Sequence, residues 1–214
     1  MKIMNWRVGL FAVLALMIIG GSLSGTIMSR VEQPSYSVVE SWGDIELRDY
    51  PQLIAAEVEV PGERKQAINA GFRMIADYIF GNNAPRQKIA MTAPVTQQAG
   101  EKIAMTAPVS QQAVGSMWKV RFIMPSSYTL DTLPTPNNPD VKLIRVPAER
   151  VAVIRYSGSA TEDSISRHRK LLLERIAQQG LTVNGEPTMA FYNPPWTLPF
   201  LRRNEILAKV SVQD

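Results

Sequence analysis

From Tyr36 onward the apolar positions follow two periods. The segments YSVVES, DIELRDY and LIAAEVEV alternate or nearly alternate between apolar and polar residues, with Gly43 and Pro51 between them, so three successive strands are predicted. Pro61-Gly62 breaks that run. From about Glu63 to Phe80 the period becomes helical: Ile68, Phe72, Ile75 and Ile79 form one apolar stripe expected to face the core, and Gly81-Asn82 suits a left-handed cap. Two copies of KIAMTAPV follow. In the strand MWKVRFIMP, Trp118, Val120, Phe122 and Met124 share a face. The proline-rich loop LPTPNNP leads to strands VKLIRV and RVAVIRY, which turn at Pro147-Ala148. A second helix is predicted from about Thr161 to Gln179, with Ser159 and Glu162 as a capping box and Gly180 as its C-terminal cap. The tail consists of strand TMAFYN, loop PPWTLPFLRR and strand EILAKVSV.

A slower repeat underlies this order. Each half has a strand entered after a proline (Pro51, Pro147), a helix ended by glycine (Gly81, Gly180) and a strand closed by proline (Pro94, Pro194). Two such halves predict an α+β domain with pseudo-two-fold symmetry. Its sheet would be antiparallel, curved and barrel-like, with two flanking helices. The two KIAMTAPV copies lie fourteen positions apart, a period too short for a solenoid, which also needs about three copies. They are expected to form neighbouring extended segments around a loop at Gln97 to Glu101, each proline at a strand end or edge.

The N-terminus is of another kind. Val8 to Met28 is 21 residues without a charge, with Lys2 and Arg7 before it and Arg30 after it. As a hydrophobic helix rising ~1.5 Å per residue it would reach ~30 Å, one hydrocarbon core. Two readings stand: a retained membrane anchor, or a signal peptide cleaved near Ser22-Leu23-Ser24. Both export the rest of the chain, since positive charge stays on the cytoplasmic side. The chain divides accordingly into a signal or anchor segment, 1–30, and a ligand-binding domain, 31–214.

Composition narrows the chemistry. Of 214 residues, 45% are hydrophobic and 20% charged, which fits one globular domain. The net charge of +4 is scattered and no run of five basic residues occurs, so nucleic acid is not an expected partner. With no cysteine and one histidine, disulfides, thiolate metal sites, cysteine nucleophiles and ordinary zinc sites are excluded, and no metal site is expected. There is no GxSxG, metal motif or nucleophile–base pair, so no catalytic residue is assigned and the chain is not expected to be an enzyme.

Four segments, in order, resemble one family. They are Tyr36-x-Val38-x-Glu40 with Glu46-x-Arg48-x-Tyr50; GFRMIADYIFGNN; KIAMTAPV; and FYNPPWTLPFLRRNEI, Phe191 to Ile206. Together they are similar to the SOUL heme-binding proteins over about Tyr36 to Val212. The resemblance implies a two-fold barrel-like fold related in shape to small-molecule effector-binding domains, and binding of heme or another tetrapyrrole. It places a groove between the first helix and the loop before the last strand. In this chain that implies Asn69, Phe72, Arg73 and Ala76 on the helix, and Trp196, Phe200 and Arg202 in the loop. Where the mammalian-type groove offers basic residues and methionines, this chain has Asn69 and Asp77, and Phe72 and Ala76.

Each remaining candidate has two readings. His168 is an axial iron ligand, or an edge histidine between Arg167 and Arg169. Met91 and Met105, at matching places in the two copies, are soft ligands or core filling. Trp196 and Phe200 stack on a macrocycle, or pin their loop to the barrel. Arg202 and Arg203 form an anion site, or bridge to Glu40 or Glu46. The expected function is non-catalytic, non-covalent binding of a flat hydrophobic ligand, heme or another tetrapyrrole, by an exported, membrane-tethered domain. The alternatives are an enzyme using Glu205 or Glu46 as a pocket acid, and a protein-interaction module.

Overall fold

A computed structural model describes residues 31–85 and 100–212. The predicted N-terminal hydrophobic helix and the first KIAMTAPV copy, with Met91, lie outside the described residues. Among the described residues no helix is long and apolar enough to cross a membrane.

The alternating segments become β1 (Ser37–Trp42), β2 (Ile45–Tyr50) and β3 (Leu53–Pro61), followed by α1 (Arg64–Ile79) and a short β4 (Asn83–Ala84). Then come β5 (Val109–Val114), β6 (Met117–Ile123), β7 (Thr135–Pro136), β8 (Lys142–Val146) and β9 (Glu149–Tyr156). The second helix is α2 (Glu162–Gln178), and β10 (Leu181–Val183), β11 (Thr188–Phe191) and β12 (Asn204–Val212) complete the chain. The main sheet runs β1-β2-β9-β12-β11-β5-β6-β3-β8, with β10 added on β12; β4 and β7 pair separately. Every pairing of these strands is antiparallel. The sheet curls into a half-barrel and stays open between β1 and β8.

The predicted two-fold is present in the strand order. Reading outward from the β5–β11 junction, β6, β3 and β8 on one side match β12, β9 and β2 on the other. Strand β2 precedes β3 in the chain yet pairs with β9, and β8 precedes β9 yet pairs with β3. Each half therefore lends its first strand to the other, which makes the halves one cooperative unit. Directly opposed residues share a face, so Met189 with Gln111 and Phe191 with Val109 continue one face across the junction. Both helices cover that face: α1 packs on β3 and β6, and α2 on β9, β12 and β10.

Three expectations are corrected. The buried stripe of α1 is Ala67, Gly71, Ile75, Tyr78 and Ile79, while Phe72 stands at its edge, 38% exposed. The stripe turns because Gly71 lets the helix approach the sheet closely. The N-cap of α2 is Thr161, whose hydroxyl accepts from the Ser164 amide at 3.2 Å, not Ser159. The second KIAMTAPV copy forms no strand over Lys102–Met105, and the ladder begins only at Val109. Pro108, lacking an N–H, stands just before β5, at a strand end as expected. Pro94, expected to close a strand of the first half, lies outside the described residues, and Pro194 follows β11 in the tail loop.

A Cβ on Gly71 would meet Val120 Cγ2 at 2.7 Å and Val58 Cγ2 at 3.0 Å. Gly71→Ala, though helix-favouring in itself, is expected to lower stability by about 1–3 kcal/mol through overpacking, read from urea unfolding. An unchanged or raised midpoint would show that the helix moves away without cost.

Candidate ligand site at the tail loop

The two halves differ at the connection between their last two strands. Strands β5 and β6 are joined by Gly115-Ser116 alone, whereas their counterparts β11 and β12 are joined by residues 192–203. Long connections in a compact fold are where binding groups concentrate. This tail loop carries three of the sequence-assigned residues.

The base of the loop is fixed by a buried carboxylate. Glu205 on β12 is 1% exposed. It accepts from Arg48 Nη1 at 3.1 Å and Nη2 at 3.3 Å, from the Tyr192 hydroxyl at 2.7 Å, and from Arg203 Nε at 3.0 Å and Nη2 at 2.7 Å. Arg48 also donates to Glu46 at 2.7 Å and to the Tyr50 hydroxyl at 3.3 Å. The two guanidiniums lie over rings, Arg48 on Tyr36 at 4.2 Å and Arg203 on Tyr192 at 3.8 Å. Burial pushes the Tyr50 hydroxyl up to about 12 and raises Tyr192 as well, so both are donors at neutral pH. The expected bridge from Arg202 or Arg203 to Glu40 or Glu46 does not form: Arg203 pairs with Glu205, and Glu46 with Arg48. Both carboxylates considered as pocket acids are thus engaged by arginine.

Within the loop, Arg202 acts as a clamp. Its Nε donates to the Thr197 carbonyl at 2.7 Å and its Nη2 to the Pro195 carbonyl at 2.6 Å. The Gly158 amide donates to the Pro199 carbonyl at 2.9 Å, and a short 3-10 turn covers Pro199–Leu201. The loop is held from inside and below, yet Trp196 is 67% and Phe200 70% exposed. These rings do not pin the loop; Arg202 and the backbone do.

The helix residues form a second group. Asn69 and Arg73 are exposed, Ala76 is half-buried, and Phe72 leans on Phe122 with ring centroids 5.4 Å apart. Arg73 makes no ion pair with a described residue. Asp77 accepts from Asn82 Nδ2 at 2.5 Å. No hydrogen bond or ring contact joins the two groups. Between them runs the segment that carries the second KIAMTAPV copy: the Ile103 amide donates to the Ile79 carbonyl at the end of α1, and Ala107 packs with Ala190 and Tyr192 below the tail loop.

His168 belongs to neither group. It lies on α2, stacked on Tyr156 at 4.0 Å, with Nδ1 2.6 Å from the Ser164 carbonyl. Met105 packs against the core beneath α1. Among the described residues no cluster of His, Asp and Glu could hold a metal ion. The Tyr36, Arg48, Tyr50 and Tyr192 network was missed as a unit. Its signal was the strict alternation that puts Glu46, Arg48 and Tyr50 on one face of β2, opposite Ile45 and Leu47.

The family model for SOUL heme-binding proteins matches residues 31–209. No curated protein matches the sequence. Among solved structures, the EcmrR C-terminal domain is similar with a TM-score of 0.55 and 12% identity, covering 83% of this chain and 99% of that one. A hydrolase from Listeria innocua is similar with a TM-score of 0.52 and 14% identity, covering 81% and 94%. At these identities the likeness is one of fold.

Two outcomes are expected for the network. Arg48→Met should cost about 3 kcal/mol, the lower end for a broken buried pair because Arg203 remains on Glu205; a loss below 1 kcal/mol in urea unfolding would refute this. The second concerns alkaline pH. A tyrosine raised in the folded state contributes stability intact below its unfolded value of 10.0 and lost as pH climbs toward about 12, because the unfolded chain ionises first. Melting temperatures recorded from pH 9 to 12 should fall across that window, and less steeply in Tyr50→Phe.

Proposed function

The chain belongs to the SOUL heme-binding protein family, and on that premise we propose that it binds a flat hydrophobic ligand, heme or another tetrapyrrole, without converting it. The receiving surface is the tail loop together with the outer side of α1. One observation carries the reading: a loop braced by its own arginine and backbone holds Trp196 and Phe200 mostly in water. Rigid aromatics presented at little entropic cost are what stacking on a macrocycle requires.

The residues present fit such a group. Trp196 and Phe200 offer faces, Phe72 an apolar edge, and Arg73 a guanidinium not engaged by any described carboxylate, suited to a propionate. Arg202 is committed to its own loop and acts by holding it rather than by pairing with the ligand. When bound, heme supplies an iron centre open to axial ligation. None of the seven assigned residues is a histidine or a methionine, and His168 is engaged on the other helix, so binding rests on apolar contact. Turnover has no support in the carboxylates, since Glu205 and Glu46 already accept from arginine. The same proposal places the domain on the exported side of a membrane, tethered there or released, because the uncharged run Val8 to Met28 has cations before it.

Titration of the protein with hemin and with protoporphyrin IX, followed by absorbance, tests this. Trp196→Ala and Phe200→Ala should each weaken both ligands about tenfold, or ~1.4 kcal/mol, while His168→Ala leaves affinity and spectrum unchanged. Full affinity in both aromatic variants, or loss of the heme spectrum in His168→Ala, refutes the assignment.

A further inference from the structure

The face of the sheet opposite the two helices is also shaped. A small open cleft of about 80 Å³ lies in the hollow of the half-barrel. The central strands supply its floor, with Ser110 and Gln112 from β5 and Thr188 and Ala190 from β11. Its sides come from matching strands, Arg121 and Ile123 on β6 and Leu207 and Lys209 on β12. Pro51 and Pro147, the prolines that open the two matching crossovers, line it as well. The cleft therefore sits where the two halves meet, and every residue named is on a strand or at a strand end.

Its lining is apolar with an excess of donors. Arg121 gives Nε and Nη2 to Glu57, and Lys209 pairs with Glu149 at 2.5 Å. The Tyr50 hydroxyl accepts from Arg48, so its own proton remains to be offered. Among the described residues Arg121 Nη1 and the Thr188 hydroxyl have no acceptor. Against these donors, Glu149 is the one lining carboxylate among the described residues and is already paired. An apolar hollow with a few unspent donors is the usual form of a small-molecule site.

We infer that this hollow is a second binding site, separate from the tail loop, for a compact apolar molecule bearing an acceptor oxygen such as a carboxylate or sulfonate. The apolar body lies on Ile123, Val151, Ala190 and Leu207, and the oxygens meet Tyr50, Thr188, Arg121 and Lys209. The site rests on the cleft alone and survives failure of the tetrapyrrole reading.

The test uses the full-length protein and two dyes of one shape, 8-anilinonaphthalene-1-sulfonate and the neutral N-phenyl-1-naphthylamine, followed by fluorescence. The sulfonate is expected to bind saturably and at least tenfold more tightly than the neutral dye. Leu207→Trp and Ser110→Phe fill the hollow from its two sides, and each should weaken the sulfonate at least tenfold with the melting temperature retained. Two variants are used so that a folding failure in one leaves the other to decide. Trp196→Ala should leave the sulfonate unaffected. Equal affinity of the two dyes overturns the ligand class. Unchanged binding in a folded hollow-filling variant, or loss of binding in Trp196→Ala, overturns the site.

Discussion

A carboxylate at 1% exposure sets the terms for the rest of this fold. Removing an ion of that size from water costs several kcal/mol even after relaxation. Glu205 offsets this with five hydrogen bonds from two arginines and a tyrosine. These donors come from β2, from the end of β11 and from the start of β12. Satisfying Glu205 therefore requires the first strand pair, the last strand pair and the base of the tail loop to be in place together. Arg203 extends the requirement to the N-terminal arm through Gln33, whose side chain accepts at 3.0 Å. A network of this kind favours one arrangement over near alternatives, because any partial version leaves a buried charge short of partners.

The exchanged first strands act in the same direction. Neither half can complete its sheet without a strand from the other, so the half-barrel has no stable half-product. Within that shared frame the halves differ where they are not needed for closure. A two-residue turn on one side is matched on the other by the loop of residues 192–203. The pairing order of the central strands is matched on both sides, and this difference lies in a connection outside it. That is the physical reason a near-symmetric scaffold carries an asymmetric surface.

Two surfaces of different character result. On one, a braced loop exposes flat aromatic rings beside the edge of α1. On the other, the curl of the sheet encloses an apolar hollow bordered by paired charges. They are backed by the same network, since Tyr50 and Tyr192 line the hollow while Tyr192 bonds the carboxylate that holds Arg203 at the loop base. Similarity of fold to the EcmrR domain and to the Listeria innocua hydrolase adds no chemistry at 12% and 14% identity. The chemistry rests on the residues themselves.

The sequence by itself determined the elements and their symmetry. Alternation set β1 to β3, a change of period at Pro61-Gly62 set α1, and the spacing of prolines and glycines revealed two halves, because these are local properties of the backbone. It also named the loop that presents Trp196 and Phe200, since prolines mark an extended connection. It did not determine which polar residues meet. Arg203 was matched to Glu40 or Glu46, yet Glu205, two residues away on the same strand face, is its partner. Arg48 and Glu205, 157 residues apart, meet only because β2 crosses to the far half. The exposure of Phe72 was likewise decided by packing. Its spacing fits the apolar stripe, but the close approach of Gly71 to Val58 and Val120 rotates the helix and leaves Phe72 at the rim. The hollow has no sequence signal at all, because its lining is gathered from eight strands by curvature, a property of the assembled sheet and of no segment within it.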